Sequence, residues 1–196
     1  MKSVCVFCGA SAGLHPAYRE AARAFGGRLA DEGIELVWGA GNVGLMGEVA
    51  DAAIAAGGRT FGVIPDFMVE RELAHAATTE LHVVRTMHER KALMAERADA
   101  FVALPGGFGT LDELFEILTW AQLHLHAKPI GLFNVRGFFD PLRTLVGHMV
   151  AEGFVRPKHE ALFYVDDDAS RLLAALRGHQ PPSGDWVGEK LSVARG

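Results

Sequence analysis

The amino-acid sequence predicts an α/β fold: one doubly wound domain with a mostly parallel sheet and helices on both faces. Three observations carry this. Apolar runs of strand length alternate with longer helical patterns along the chain. The strand-like runs are near-continuously apolar, as strands covered on both sides must be. Turn residues stand at the joins. The 196 residues suit one sizeable domain and are too few for two comfortable ones.

The elements follow in order. Lys2–Cys8 reads as a strand, and Pro16–Glu32 as a helix stopped by Gly33, with Ala21, Phe25 and Leu29 repeating every four residues. Ile34–Trp38 is a second strand, followed by GAGNVGLMG and a helix through Ala56. Thr60–Ile64 is a third strand closed by Pro65, Leu81–Arg85 adds a short strand, and Met87–Ala98 is a helix. Ala100–Leu104 is a strand, and PGGFGT opens a helix running to about Leu125. Pro129–Asn134, Phe138–Glu152, Ala161–Val165 and Ala169–Leu176 complete the alternation. Residues 1–180 form the domain. Residues 181–196, with Pro181, Pro182, Ser183 and Gly184, read as a C-terminal extension.

Composition narrows the function. Hydrophobic residues make up 49% and charged residues 22%, a globular balance that excludes a disordered chain. A net charge of −5 without a basic run argues against nucleic acid as a partner. No apolar stretch reaches membrane-spanning length, and MKSVCVFCG does not read as a signal peptide. A soluble, cytoplasmic protein is expected. Cys5 and Cys8 form a CxxC, but no second cysteine pair completes a zinc site. On a strand, positions three apart face opposite ways, so the pair reads as buried apolar thiols. His124 and His126 are two apart and no HExxH occurs, so no metal is expected.

In a doubly wound sheet, ligands bind beyond the carboxyl ends of the strands where the strand order reverses. Three such ends carry glycine: CGASAG, GAGNVGLMG and PGGFGT. In the common strand order they are neighbours and converge on one crevice. Gly39, Gly41 and Gly44 match G-x-G-x-x-G between strand and helix, with Asp66 roughly twenty residues further on. This admits a nicotinamide-dependent oxidoreductase, although the fingerprint normally follows the first strand of its unit. PGGFGT combines a bare backbone with the donors and positive dipole end of a helix, which suits a phosphate. It lacks the lysine of a Walker loop. Thr110 and Glu113 also have the spacing of a capping box, which would need no function at all.

PGGFGTLDE, residues 105–113, resembles the PGGxGTxxE signature of the Lonely Guy family of cytokinin riboside 5′-monophosphate phosphoribohydrolases. CGAS, GAGNVGLMG, MHERK at 87–91, LTWAQL and KPIGLFN agree with that family in order and spacing, over about Met1 to Val165. Ala10 and Ala40 depart from it, standing where serine and glycine are common. Members are often labelled lysine decarboxylases, but no Schiff-base lysine site is apparent in this short chain.

The resemblance implies a Rossmann-like, homodimeric hydrolase without cofactor or metal. It implies cleavage of the N-glycosidic bond of an adenine-type nucleoside 5′-monophosphate, cytokinin precursor or plain AMP, to free base and ribose 5-phosphate. It makes Arg90 and Glu113 the catalytic pair. It assigns substrate binding to Glu72, Lys91, Gly107, Phe108, Gly109, Thr110, Leu111, Asp112 and Thr119. Gly9, Ser11, Gly41, Gly44 and Met46 are candidates for a phosphate or nucleotide loop. Met46, Phe67, Met87 or Trp120 could line an apolar base pocket. The competing reading from another class is a nucleotide sensor that binds in the same crevice without catalysis.

Overall fold

A computed structural model describes residues 1–69 and 74–181. Glu72 and nearly all of the expected C-terminal extension lie outside the described residues.

Seven strands form one sheet: β1 Ser3–Phe7, β2 Glu35–Trp38, β3 Thr60–Pro65, β4 Glu80–Val84, β5 Ala100–Ala103, β6 Ile130–Phe133 and β7 Phe163–Asp166. Their order is β4-β3-β2-β1-β5-β6-β7. Every pairing is parallel. The helices are α1 Pro16–Asp31, α2 Gly44–Ala55, α3 Asp66–Val69, α4 Met87–Arg97, α5 Phe108–Gln122, α6 Asp140–Ala151 and α7 Ala169–Arg177. On one face, Phe25 and Leu29 of α1, Val49 and Ala53 of α2, and Leu172 and Leu176 of α7 form a core with Val4, Val6 and Cys8. On the other, Met94 of α4 and Leu114 and Ile117 of α5 pack with Cys5, Phe7 and Phe101. The two thiols therefore lie on opposite faces, both buried. Burial pushes each of them well above the ordinary cysteine range.

Some boundaries move. Leu81 and Val83 are exposed on β4, an edge strand, whereas the inner strands are almost wholly buried. The short α3 after Pro65 is an element the sequence reading did not contain. Helix α5 stops at Gln122 instead of about Leu125. His124 takes a left-handed φ of 57°, and the Leu125 N–H donates back to the Trp120 carbonyl at 2.9 Å, a Schellman-type ending.

The strand order reverses between β1 and β5, and here the backbone draws tight. The Leu104 N–H donates to the Phe7 carbonyl at 2.9 Å and the Gly9 N–H to the Pro105 carbonyl at 3.1 Å. A Cβ on Gly106 would lie 2.8 Å from the Gly9 nitrogen and 2.1 Å from Thr110 Oγ1. Gly106 is thus a packing requirement of the switch point.

Candidate active site

Immediately beyond the switch point, α5 begins at Phe108 with Gly107 as its N-cap, and no side chain caps it. Thr110 is the third helical residue and Glu113 lies in the second turn. The capping box is therefore absent: it needs the Thr at the cap position. The first amides of α5 have no partner within the helix and open onto a cleft of about 530 Å³. A Cβ on Gly107 or Gly109 would meet nothing within 4 Å. Nothing in the protein requires glycine there.

Two of the ionisable side chains that line the cleft, Arg90 and Glu113, come from neighbouring helices. Arg90 of α4 is buried. Its Nε donates to the Val63 carbonyl at 3.0 Å and its Nη2 to the Gly39 carbonyl at 2.6 Å. Val63 lies within β3 and Gly39 directly follows β2, so the sheet itself orients the guanidinium. Burial holds Arg90 below the usual arginine value while Glu113 opposes that fall, and a guanidinium stays charged in either case. Glu113 is partly buried. Desolvation pushes its carboxyl up to about 7, with Arg90 pulling it down and Asp112 adding to the rise. A carboxylic acid balanced near neutrality beside a fixed cation can stabilise a developing positive charge or handle a proton.

Lys91 follows a different course. Its Nζ pairs with Asp112 Oδ2 at 3.0 Å and Glu116 Oε1 at 3.2 Å. Burial would lower the ammonium, but these hydrogen bonds carry it above the ordinary lysine value. Lys91 thereby ties α4 to α5 and does not line the cleft. Of the other expected residues, Gly9, Ser11, Met46, Gly107, Phe108, Gly109, Thr110, Asp112 and Glu113 come together with Arg90 around the cleft, whereas Gly41, Gly44, Leu111 and Thr119 do not line it. Leu111 packs on the core, and the exposed Thr119 donates its hydroxyl to the Phe115 carbonyl at 2.7 Å. Among the apolar candidates, Met46 and Met87 line the cleft while Phe67 and Trp120 do not. Trp120 packs against the core instead.

The lining residues that were not anticipated include Tyr18, Met68 and Phe138. The Tyr18 and Phe138 rings meet edge to face at 6.1 Å. A Cβ on Gly13, whose φ is +71°, would lie 2.8 Å from the Tyr18 ring. Gly13 was visible in the sequence as a turn glycine, but a contact between residues so far apart in the chain was not.

The GAGNVG turn is closed by the protein's own atoms. Gly44 has φ +61°, and a Cβ there would sit 2.3 Å from the Ala10 carbonyl carbon. The Leu45 N–H, in the first turn of α2, donates to the Gly9 carbonyl at 2.9 Å. A pyrophosphate would have to displace these contacts. Ala40 itself holds a left-handed φ of 55°, a conformation that suits the glycine common at this place in the family it resembles. Among the described residues no group of three or more His, Cys, Asp or Glu is placed to hold a metal, no helix is long and apolar enough to cross a membrane, and no lysine lines the cleft.

Comparison with known proteins identifies the family. The family model described as "Possible lysine decarboxylase" matches residues 46–176. The chain is 48% identical to "Probable cytokinin riboside 5'-monophosphate phosphoribohydrolase LOGL9" of Oryza sativa subsp. japonica, over 92% of this chain and 79% of that one. It is 46% identical to cytokinin riboside 5′-monophosphate phosphoribohydrolase LOG7 of Arabidopsis thaliana, over 92% and 83%. Among solved structures, the molybdenum cofactor carrier protein of Chlamydomonas reinhardtii superposes with a TM-score of 0.69 at 23% identity, over 90% of this chain and 96% of that one. The molybdenum cofactor binding protein of Rippkaea orientalis gives 0.68 at 19%, over 91% and 97%. At those identities the two structures speak for the fold alone. The family match and the sequence relatives speak for more: the chain belongs to the Lonely Guy family, whose model carries the lysine decarboxylase description.

Proposed function

We propose that this cleft hydrolyses the N-glycosidic bond of adenosine 5′-monophosphates, N6-modified or plain, to free base and ribose 5-phosphate. The observation that carries this reading is Glu113. It is released from any capping role, balanced near neutral pH, and set beside a sheet-anchored arginine at the mouth of an uncapped helix.

The 5′-phosphate rests on the first amides of α5, from Gly107 to Thr110, with the Thr110 hydroxyl as a further donor. Cleavage builds positive charge on the ribose, as in glycoside hydrolysis. The Glu113 carboxylate faces that charge or orients the attacking water. Arg90 balances the negative charge gathering on the departing base, against a wall that includes Met46 and Met87. Lys91 acts from behind by holding Asp112 and Glu116, which fixes α5 against α4. Glu72 is assigned to the substrate by resemblance alone. Thr119 and Leu111 stand away from the cleft of a single chain. We infer a homodimer in the cytoplasm, in which Thr119 reaches a nucleotide across the contact between two copies. Residues 1–180 act as the one functional domain.

Incubation with AMP and, separately, with isopentenyladenosine 5′-monophosphate, followed by assay of free base and ribose 5-phosphate, tests this. Release of both products establishes the hydrolase, and the ratio of rates sets the substrate preference. Stabilisation by AMP without release of base would make the cleft a sensor.

A further inference from the structure

We propose that Gly39 is a positioning residue for the reaction: its missing side chain makes room for the Arg90 guanidinium, and its carbonyl fixes which edge of that group faces the cleft. This rests on Arg90 acting in the cleft as described above.

No backbone conformation requires glycine at 39, since its φ lies outside the left-handed region that Gly44 occupies. The space its Cβ would fill belongs instead to one residue. A Cβ at 39 would lie 1.7 Å from Arg90 Nη2, 2.7 Å from Cζ and 3.3 Å from Nε. These are the inner atoms of a buried guanidinium, already held at 2.6 Å to the Gly39 carbonyl and 3.0 Å to the Val63 carbonyl. The group cannot yield without breaking those bonds, and a guanidinium buried without its acceptors is costly. The neighbouring Gly41 presents a softer case, because a Cβ there would meet the flexible Met46 terminal methyl at 3.0 Å.

The arrangement also limits what Arg90 does. With Nε and Nη2 committed to main-chain oxygens, Nη1 is left, 3.9 Å from Met87 Sδ, as the nitrogen without an oxygen acceptor among the described residues. Arg90 therefore meets the substrate with one edge. Two of its five N–H donors are spent on the main chain, which leaves both on Nη1 and the second on Nη2. As in the function proposed above, the phosphate is left to α5 and Arg90 acts on the reacting centre.

A double-mutant cycle tests the seat. Gly39→Ala should lower kcat by about 100-fold, the scale of a misplaced catalytic group, while KM stays within about threefold because phosphate contacts survive. It should also lower Tm. Arg90→Ala removes the clashing group, so Gly39→Ala/Arg90→Ala should be no slower than Arg90→Ala alone and should show no added Tm penalty. If Gly39→Ala does not fold by itself, recovery of a folded protein in the double variant supports the seat. Should Arg90→Ala not fold, Arg90→Lys takes its place in the cycle. Wild-type kcat in Gly39→Ala, or losses in kcat that multiply, would overturn the proposal. If no nucleotide is cleaved by the unmodified protein, the hydrolase reading fails, and the Tm cycle alone decides whether Gly39 seats Arg90: a penalty that persists without the arginine rejects it.

Discussion

Two glycine-rich turns, each joining a strand to a helix, sit close together at one edge of this sheet and use glycine for opposite reasons. In the β2–α2 turn, Gly39 and Gly44 are crowded by the protein itself: the Arg90 guanidinium in one case, the Ala10 main chain in the other. In the β5–α5 turn, Gly107 and Gly109 face open space and the helix they open has no side-chain cap. In the function we propose, the first turn builds the site and the second receives the ligand. A glycine fingerprint read from sequence cannot separate these cases, since both put the same residue type at the same kind of junction. What separates them is whether the missing Cβ would meet protein or solvent.

The largest effect should come from the ligand-receiving turn. Glu113→Gln keeps the size of the side chain but removes its charge, and we expect turnover of the nucleotide to fall by about 10²–10³ with folding intact. Full activity in that variant, measured by base release, would remove Glu113 from the chemistry.

Next in size is Gly44→Ala in the internal turn. The added methyl combines a left-handed backbone with a main-chain clash, so stability in urea should drop by about 3 kcal/mol. An unchanged midpoint would mean that the turn can shift and that its glycines are not packing requirements.

Gly109→Ala should behave in the opposite way. Nothing in the protein opposes the methyl, and alanine favours helix over glycine by about 0.5–1 kcal/mol. Thermal stability should hold or rise while KM for the nucleotide increases about tenfold, because the phosphate loses its close approach. A variant with unaltered KM would place the phosphate elsewhere.

The smallest effect concerns pH. The Glu113 carboxyl stands at about 7 in the folded protein, above its ordinary value of 4.5. If the carboxylate is the working form, kcat/KM should fall about tenfold per unit as the pH drops below about 7, and Glu113→Gln should lack that limb. Stability runs the other way. As pH rises from 4.5 through 7, the unfolded chain releases this proton first, so stability is lost across that window. Relative to pH 5, unfolding at pH 8 should therefore cost the native protein on the order of 1 kcal/mol more stability than Glu113→Gln, after allowance for the part of the group that the cleft leaves wet.

The order and type of the strands and longer helices were legible because burial writes itself into periodicity: β1, β3, β5 and β6 are all-buried runs, and α1 repeats at Ala21, Phe25 and Leu29. The PGGFGT turn was legible as a bare backbone opening a helix, and that helix does begin without a side-chain cap. Thr110 and Glu113, by contrast, fitted a capping box equally well until the helix start was fixed at Phe108. Trp120 looked available for a base pocket, yet it packs into the core, while Tyr18 and Phe138, unmarked in sequence, share a cleft wall. Those contacts join segments distant in the chain, and no local pattern encodes them.

The sequence by itself therefore determined the doubly wound class, the three converging turns, and the residue types for holding a phosphate and stabilising a cation. It could do so because strand burial, helix dipoles and glycine's freedom are short-range properties. Tertiary structure alone decided which glycines the protein itself crowds and which it leaves open, and how far Glu113 is lifted toward neutrality. Both depend on desolvation and close approach between β2, β3, α4 and α5, and those distances exist only once the sheet has formed.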